Sequence, residues 1–186
     1  GVRAVDSTTC GLCTGGLYCP GNATATPSLL CSDGYFCSGG ASTPTQNLCP
    51  RGHFCASGPS NSAPMPCPAG QYQDEFGQAT CKACPAGSYC PAASEEPVEC
   101  VVGHYCPANT PAATSFPCAA GSFSNKMSLT SQAECELCTA GQFCSVPGQT
   151  APAGPCAAGH YCLRSSDQAD PTEGEDAGYT CSVNAF

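Results

Sequence analysis

One phrase governs what this chain can fold into: a Cys, any two residues, a Gly, any residue, then Tyr or Phe. It recurs nine times without exception. The opening cysteines are Cys13, Cys31, Cys49, Cys67, Cys84, Cys100, Cys118, Cys138 and Cys156. In seven copies a second Cys follows the aromatic at once: Cys19, Cys37, Cys55, Cys90, Cys106, Cys144 and Cys162. In the other two, Gln73 or Ser124 stands there and the second Cys is displaced to Cys81 or Cys135. The order is three short repeats, one long, two short, one long, two short. We number them 1 to 9. Self-similarity of this kind marks an array of small stacked modules rather than one large core.

The residues outside the phrase agree with that. The 186 residues include 20 Cys, 21 Gly and 18 Pro, but no Trp and only two Met. A chain so poor in large apolar groups must replace burial with cross-links. Cysteines at this density belong in an oxidising compartment, outside the cell or in a secretory lumen. Five basic residues and a net charge of −9 exclude a phosphate-binding stripe, so no nucleic-acid partner is expected. They also disfavour an anionic membrane surface. No apolar run approaches the roughly 20 residues of a membrane span, so membrane insertion is not expected. Gly1 opens directly into polar sequence, as in a processed chain or a segment of a longer one.

Each position in the phrase has a physical reading. Cys-Pro-x-Gly, at Cys49–Gly52, Cys67–Gly70 and Cys84–Gly87, predicts a type I turn with Pro at its second position and Gly at its close. The Gly is also suited to positive φ, which lets two short strands leave the turn together. The aromatic is read as a lid over the neighbouring disulfide. Connectors such as Pro20–Leu30, Ser38–Leu48 and Pro107–Pro117 all contain Pro and read as extended loops. The best helix candidate is Leu129–Leu137, with Ser131 and Glu134 as a capping box. The expected fold is a small disulfide-rich repeat protein. It is mostly irregular, with short β-hairpins and turns and little or no helix, drawn out as a rod or solenoid-like array. We divide it at residues 1–66 (three short repeats with a lead-in), 67–117 and 118–163 (each a long repeat and two short ones), and 164–186 (an acidic tail).

Two pairing schemes fit the cysteines. In the first, which we favour, each opening Cys bonds the second Cys of its own repeat: Cys13–Cys19, Cys31–Cys37, Cys49–Cys55, Cys67–Cys81, Cys84–Cys90, Cys100–Cys106, Cys118–Cys135, Cys138–Cys144 and Cys156–Cys162. Cys10 and Cys181 then fall outside the rule and are candidates for an intermolecular, head-to-tail bond between copies. In the second, each second Cys bonds the next opening Cys, which requires bonds across two residues at Cys10–Cys13, Cys81–Cys84 and Cys135–Cys138. Residues six apart across a hairpin stand about 7–8 Å apart as diagonal neighbours. That exceeds the usual disulfide span of about 4.4–6.8 Å, so the first scheme requires a tighter coil than a hairpin.

The phrase Cys84-Pro-Ala-Gly-Ser-Tyr-Cys90, with the long form from Cys67 through Cys81 to Cys84, resembles the ephrin-receptor-like cysteine-rich repeat. It is more distantly similar to the modules of growth-factor and TNF receptors. The resemblance covers roughly residues 10–162. It implies an extracellular spacer, a ligand-binding stalk or a wall or filament component, of the kind also found in surface proteins and flagellar hairs of protists and algae.

Other chemistries fit poorly. The Cys-x-x-Cys pairs lie too far apart in sequence to share a zinc ion, and no thioredoxin-like context surrounds them. No catalytic, cofactor-binding or metal site is expected. His53, His104 and His160 share the slot between Gly and aromatic, which we read as an exposed face. The carboxylates from Asp167 to Asp176 lack the ligand spacing of a calcium loop. Glycans are expected instead: Asn22-Ala-Thr is an acceptor sequon, and Thr43 and Thr110 lie in Ser/Thr/Pro-rich connectors suited to O-linked sugar. The expected protein is therefore not an enzyme. It is an extracellular structural subunit of a filament, flagellar hair or coat, with itself and covalent glycans as partners. The alternative is the ligand-binding stalk of a receptor or adhesin.

Overall fold

A computed structural model describes residues 13–20 and 29–171. The chain divides into two compact units, Gly1–Lys82 with Pro91–Glu96, and Ala83–Cys90 with Pro97–Phe186. Pro91–Glu96 returns to the first unit because Ala93 N–H donates to the Cys67 carbonyl (2.8 Å) and the Ser94 carbonyl accepts from Gln73 N–H (3.0 Å).

All nine phrase glycines have positive φ, between 72° and 89°. The turn itself starts one residue later than the sequence reading placed it. In repeat 4, Gln71 N–H donates to the Pro68 carbonyl (3.0 Å), so Pro68 is the first residue of the turn and Gly70 its third. Positive φ at the third position is the type II pattern, and Gly tolerates it where other residues are strained. Pro68 therefore does not preset the second position as the type I reading required.

The strands are two residues long and pair forward. β1 (Leu17–Tyr18) pairs antiparallel with β2 (Leu29–Leu30), which immediately precedes the next opening Cys. β3 (Tyr35–Phe36) pairs in the same way with β4 (Asn47–Leu48), and β5 (His53–Phe54) with β6 (Met65–Pro66). β7 (Gln71–Tyr72) pairs with β8 (Lys82–Ala83), and β9 (Ser88–Tyr89) with β10 (Val98–Glu99). β11 (Ser122–Phe123) pairs with β12 (Glu136–Leu137), and β13 (Gln142–Phe143) with β14 (Gly154–Pro155). In repeat 6 a single bridge, His104 to Pro117, takes the place of the pair.

The helix expected at Leu129–Leu137 shrinks to one 3-10 turn, Gln132–Glu134. Ser131 makes no side-chain cap. Instead Glu134 Oε1 accepts from the Thr130 backbone N–H (3.2 Å) and from the Thr130 and Ser131 hydroxyls. These bonds hold the Glu134 carboxyl below its ordinary pKa, the Thr130 hydroxyl contributing most.

Among the described residues the buried apolar core is sulfur: fifteen cysteines, with only Ala41 and Leu129 beside them. Tyr18 packs on a cluster of Cys31, Cys37 and Ala41, and Tyr105 on Cys118, Leu129 and Cys135. In both cases the ring of one repeat covers the disulfide of the next.

Candidate functional site

Nine disulfides each join the opening Cys of a repeat to the second Cys of the same repeat. This is the first of the two pairing schemes. In the short repeats, Cα–Cα separations of 5.9–6.2 Å are possible because the six-residue loop is a turn leading into a segment that pairs elsewhere. It is the tight coil that a back-folded hairpin could not supply. Cys10 and Cys181, with Asn22 and the tail beyond residue 171, lie outside the described residues. Seven loops span six residues and the long ones 14 and 17. In the chain-entropy account each contributes about 2–3 kcal/mol.

The repeats are joined by a ladder of main-chain bonds. Within the first unit, the Gly N–H of one repeat donates to the carbonyl that follows the aromatic of the next: Gly16 to Cys37, Gly34 to Cys55 and Gly52 to Gln73, at 2.8–2.9 Å. In the second unit Gly87, Gly103, Gly121 and Gly141 donate likewise to Cys106, Ser124, Cys144 and Cys162, again at 2.8–2.9 Å. In return, in repeats 1 to 8 the N–H after the aromatic donates forward: Cys19 to Ala41, Cys37 to Asn61, Cys55 to Gln78, Gln73 to Ser94, Cys90 to Thr110, Cys106 to Leu129, Ser124 to Gln149 and Cys144 to Ser166. In repeat 9 the Cys162 N–H turns back to Cys156 Sγ. Gln73 and Ser124 occupy the same rungs as the cysteines they replace. A long repeat is thus a short repeat with an insertion and a rerouted disulfide.

Gln73 fills the place of the missing sulfur. It is buried, its Nε2 donates to the Thr80 carbonyl (2.7 Å), and its Oε1 accepts from Glu75 N–H (3.1 Å). The insertion beyond it is tied down by Lys82, whose Nζ lies 2.6 Å from Asp74 Oδ1 and 3.4 Å from Glu75 Oε1. The Lys82 ammonium holds the Asp74 carboxyl below its usual range, and Asp74 in turn raises Lys82. Arg51 donates to the Asp74 carbonyl (2.9 Å) and pairs with Glu95 and Glu96. Lys126 pairs with Glu136 at 2.7 Å and is raised by it.

The histidines correct the reading of their slot as an exposed face. All three are half-buried. The Nδ1 atoms of His53 and His104 turn back on the carbonyls of Arg51 (3.0 Å) and Val102 (3.2 Å). The His104 ring also lies over Gly148. Among the described residues no group of three His, Cys, Asp or Glu side chains is arranged to hold a metal. No described helix is long and apolar enough to cross a membrane.

The expected O-glycan positions separate. Thr43 is exposed. Thr110 is only 1% exposed, and its hydroxyl donates to the Pro107 carbonyl (2.6 Å). Its own carbonyl is a rung of the ladder, which draws the residue inward and leaves no surface for a sugar. The sequence contains no signal for that inward pull, because any residue type can supply a carbonyl.

The fold and its staples define a class, the disulfide-rich cysteine-repeat array. Within it, residues 57–100 match the family described as tyrosine-protein kinase ephrin type A/B receptor-like. That stretch holds the long repeat 4, the short repeat 5 and the opening Cys of repeat 6, the residues on which the resemblance was drawn. No curated protein matches the chain.

Proposed function

We propose that this chain is an extracellular structural protein, a subunit of a filament, flagellar hair or cell-surface coat that assembles head to tail and carries glycans. The observation that supports this is the ladder. Within each unit, main-chain bonds that are indifferent to side-chain identity attach one repeat to the next, and the rings of Tyr18 and Tyr105 pack on the disulfide of the repeat that follows. Such a construction serves shape and spacing, and among the described residues no three His, Cys, Asp or Glu side chains are grouped to hold a metal. Its sulfur core requires an oxidising compartment.

Negative-stain microscopy of native material, with electrophoresis under non-reducing conditions, tests the reading. Fibres and reduction-sensitive multimers are expected. Discrete particles and a single monomer band would overturn assembly. The receptor-like match at residues 57–100 favours a second reading, the stalk of a receptor or adhesin. That reading predicts monodisperse particles that bind a protein ligand.

A further inference from the structure

We infer that Ser42, Ser62 and Thr150 are O-glycosylation acceptors, selected by their place one residue beyond a rung of the ladder; this rests on the extracellular reading. The preceding residues Ala41, Asn61 and Gln149 give their carbonyls to Cys19, Cys37 and Ser124 and are held inward. The next residue emerges outward, and Ser42, Ser62 and Thr150 are all exposed. None of the three hydroxyls has a hydrogen-bond partner among the described residues. Each stands two residues before a Pro, at Pro44, Pro64 and Pro152, which disfavours helix at the intervening residue, and each lies in a bend of its connector. The same slot shows what excludes a residue. Thr130 occupies it in repeat 7, but its hydroxyl is engaged by Glu134. Thr110 sits one residue earlier, on the rung itself, and is buried.

The modifying step needs nothing from this chain but an accessible hydroxyl. The Ser or Thr oxygen attacks the anomeric carbon of a nucleoside-diphosphate sugar held by a glycosyltransferase. A glycosidic C–O bond forms, and the bond from the anomeric carbon to the diphosphate breaks. The nucleoside diphosphate leaves with the electron pair, and the hydroxyl proton passes to a base on the transferase. No oxidation or reduction occurs.

The test is glycopeptide mapping by electron-transfer mass spectrometry on the full chain secreted from eukaryotic cells, beside the variant S42A/S62A/T150A. The expected result is sugar mass on Ser42, Ser62 and Thr150, none on Thr110, and loss of at least three monosaccharide increments in the variant. An unchanged disulfide map shows the variant is folded. Secreted, disulfide-bonded protein with all three hydroxyls bare would overturn the glycan assignment while leaving the extracellular reading intact. Sugar on Thr110 would overturn selection by the ladder. Chain recovered only inside the cell with free thiols would overturn both.

Discussion

The Gly77 carbonyl oxygen lies directly against the α-carbon of Gly34, two repeats earlier in the chain, and a Cβ at Gly34 would collide with it. Gly34 has φ of 81°, donates to the Cys55 carbonyl and accepts from Cys49 N–H. One residue thus serves a turn, two rungs and a close approach.

Gly34→Ala should therefore destabilise the first unit. Left-handed backbone alone costs about 1–2 kcal/mol for an L-residue, and the carbonyl collision adds to it. Amide hydrogen exchange at Cys49 and Gly34 is the measurement, with markedly faster exchange expected. Gly58→Ala is the control, since a methyl there meets nothing within 4 Å and the backbone is not left-handed; it should leave exchange unchanged.

Removing one staple should have a local effect. Cys49→Ser with Cys55→Ser opens a six-residue loop and should lose about 2–3 kcal/mol. Because the rungs within a unit connect a repeat mainly to its neighbours, protection should fall in repeats 2 to 4 and hardly change in repeats 7 to 9. A uniform loss across the chain, read by exchange mass spectrometry, would contradict nearest-neighbour stability.

Gln73→Ala should be more damaging than its polarity implies. It removes the bond to the Thr80 carbonyl, strands Glu75 N–H, and leaves a hole where short repeats carry sulfur. A loss of about 2–3 kcal/mol is expected from the unpaired groups and the void together. Gln73→Glu should cost at least as much at neutral pH, because it sets a carboxylate oxygen, which cannot donate, against the Thr80 carbonyl in a buried site. Denaturant titration at fixed disulfide content measures both.

The Lys82–Asp74 pair should hold the insertion only within a window of pH. Asp74 is depressed, so its contribution is present above its unfolded pKa and is lost as pH falls through the folded value. Lys82 is raised, so its contribution is complete below its unfolded pKa and lost as pH rises through the folded value. Lys82→Gln should move the Asp74 titration upward toward an ordinary carboxylate, followed by NMR of the carboxyl carbon. An unmoved titration would show that Lys82 is not the cause.

Much of this architecture was legible in the chain. Spacings of six residues in short repeats, and 14 and 17 in long ones, limited which sulfurs could meet. The invariant Gly signalled positive φ, and the aromatic, being the one large apolar group per repeat, had little else to cover but a disulfide. The turn was misplaced by one residue because Pro68 fits either the first or the second turn position. The histidine slot looked exposed because its occupants vary, yet the His53 ring folds back on its own backbone.

What the sequence determined by itself was therefore local: the repeat boundaries, the two ways in which the cysteines could pair, the positive-φ Gly and the one ring of each repeat, all set by covalent spacing and by residues with narrow conformational preferences. What only the tertiary structure decided was the stacking of one repeat on the next. That stacking is carried by backbone N–H and carbonyl groups, which every residue possesses and which leave no mark in the sequence. It settled that Thr110 is a buried rung while Thr150, one place beyond the rung at Gln149, faces solvent.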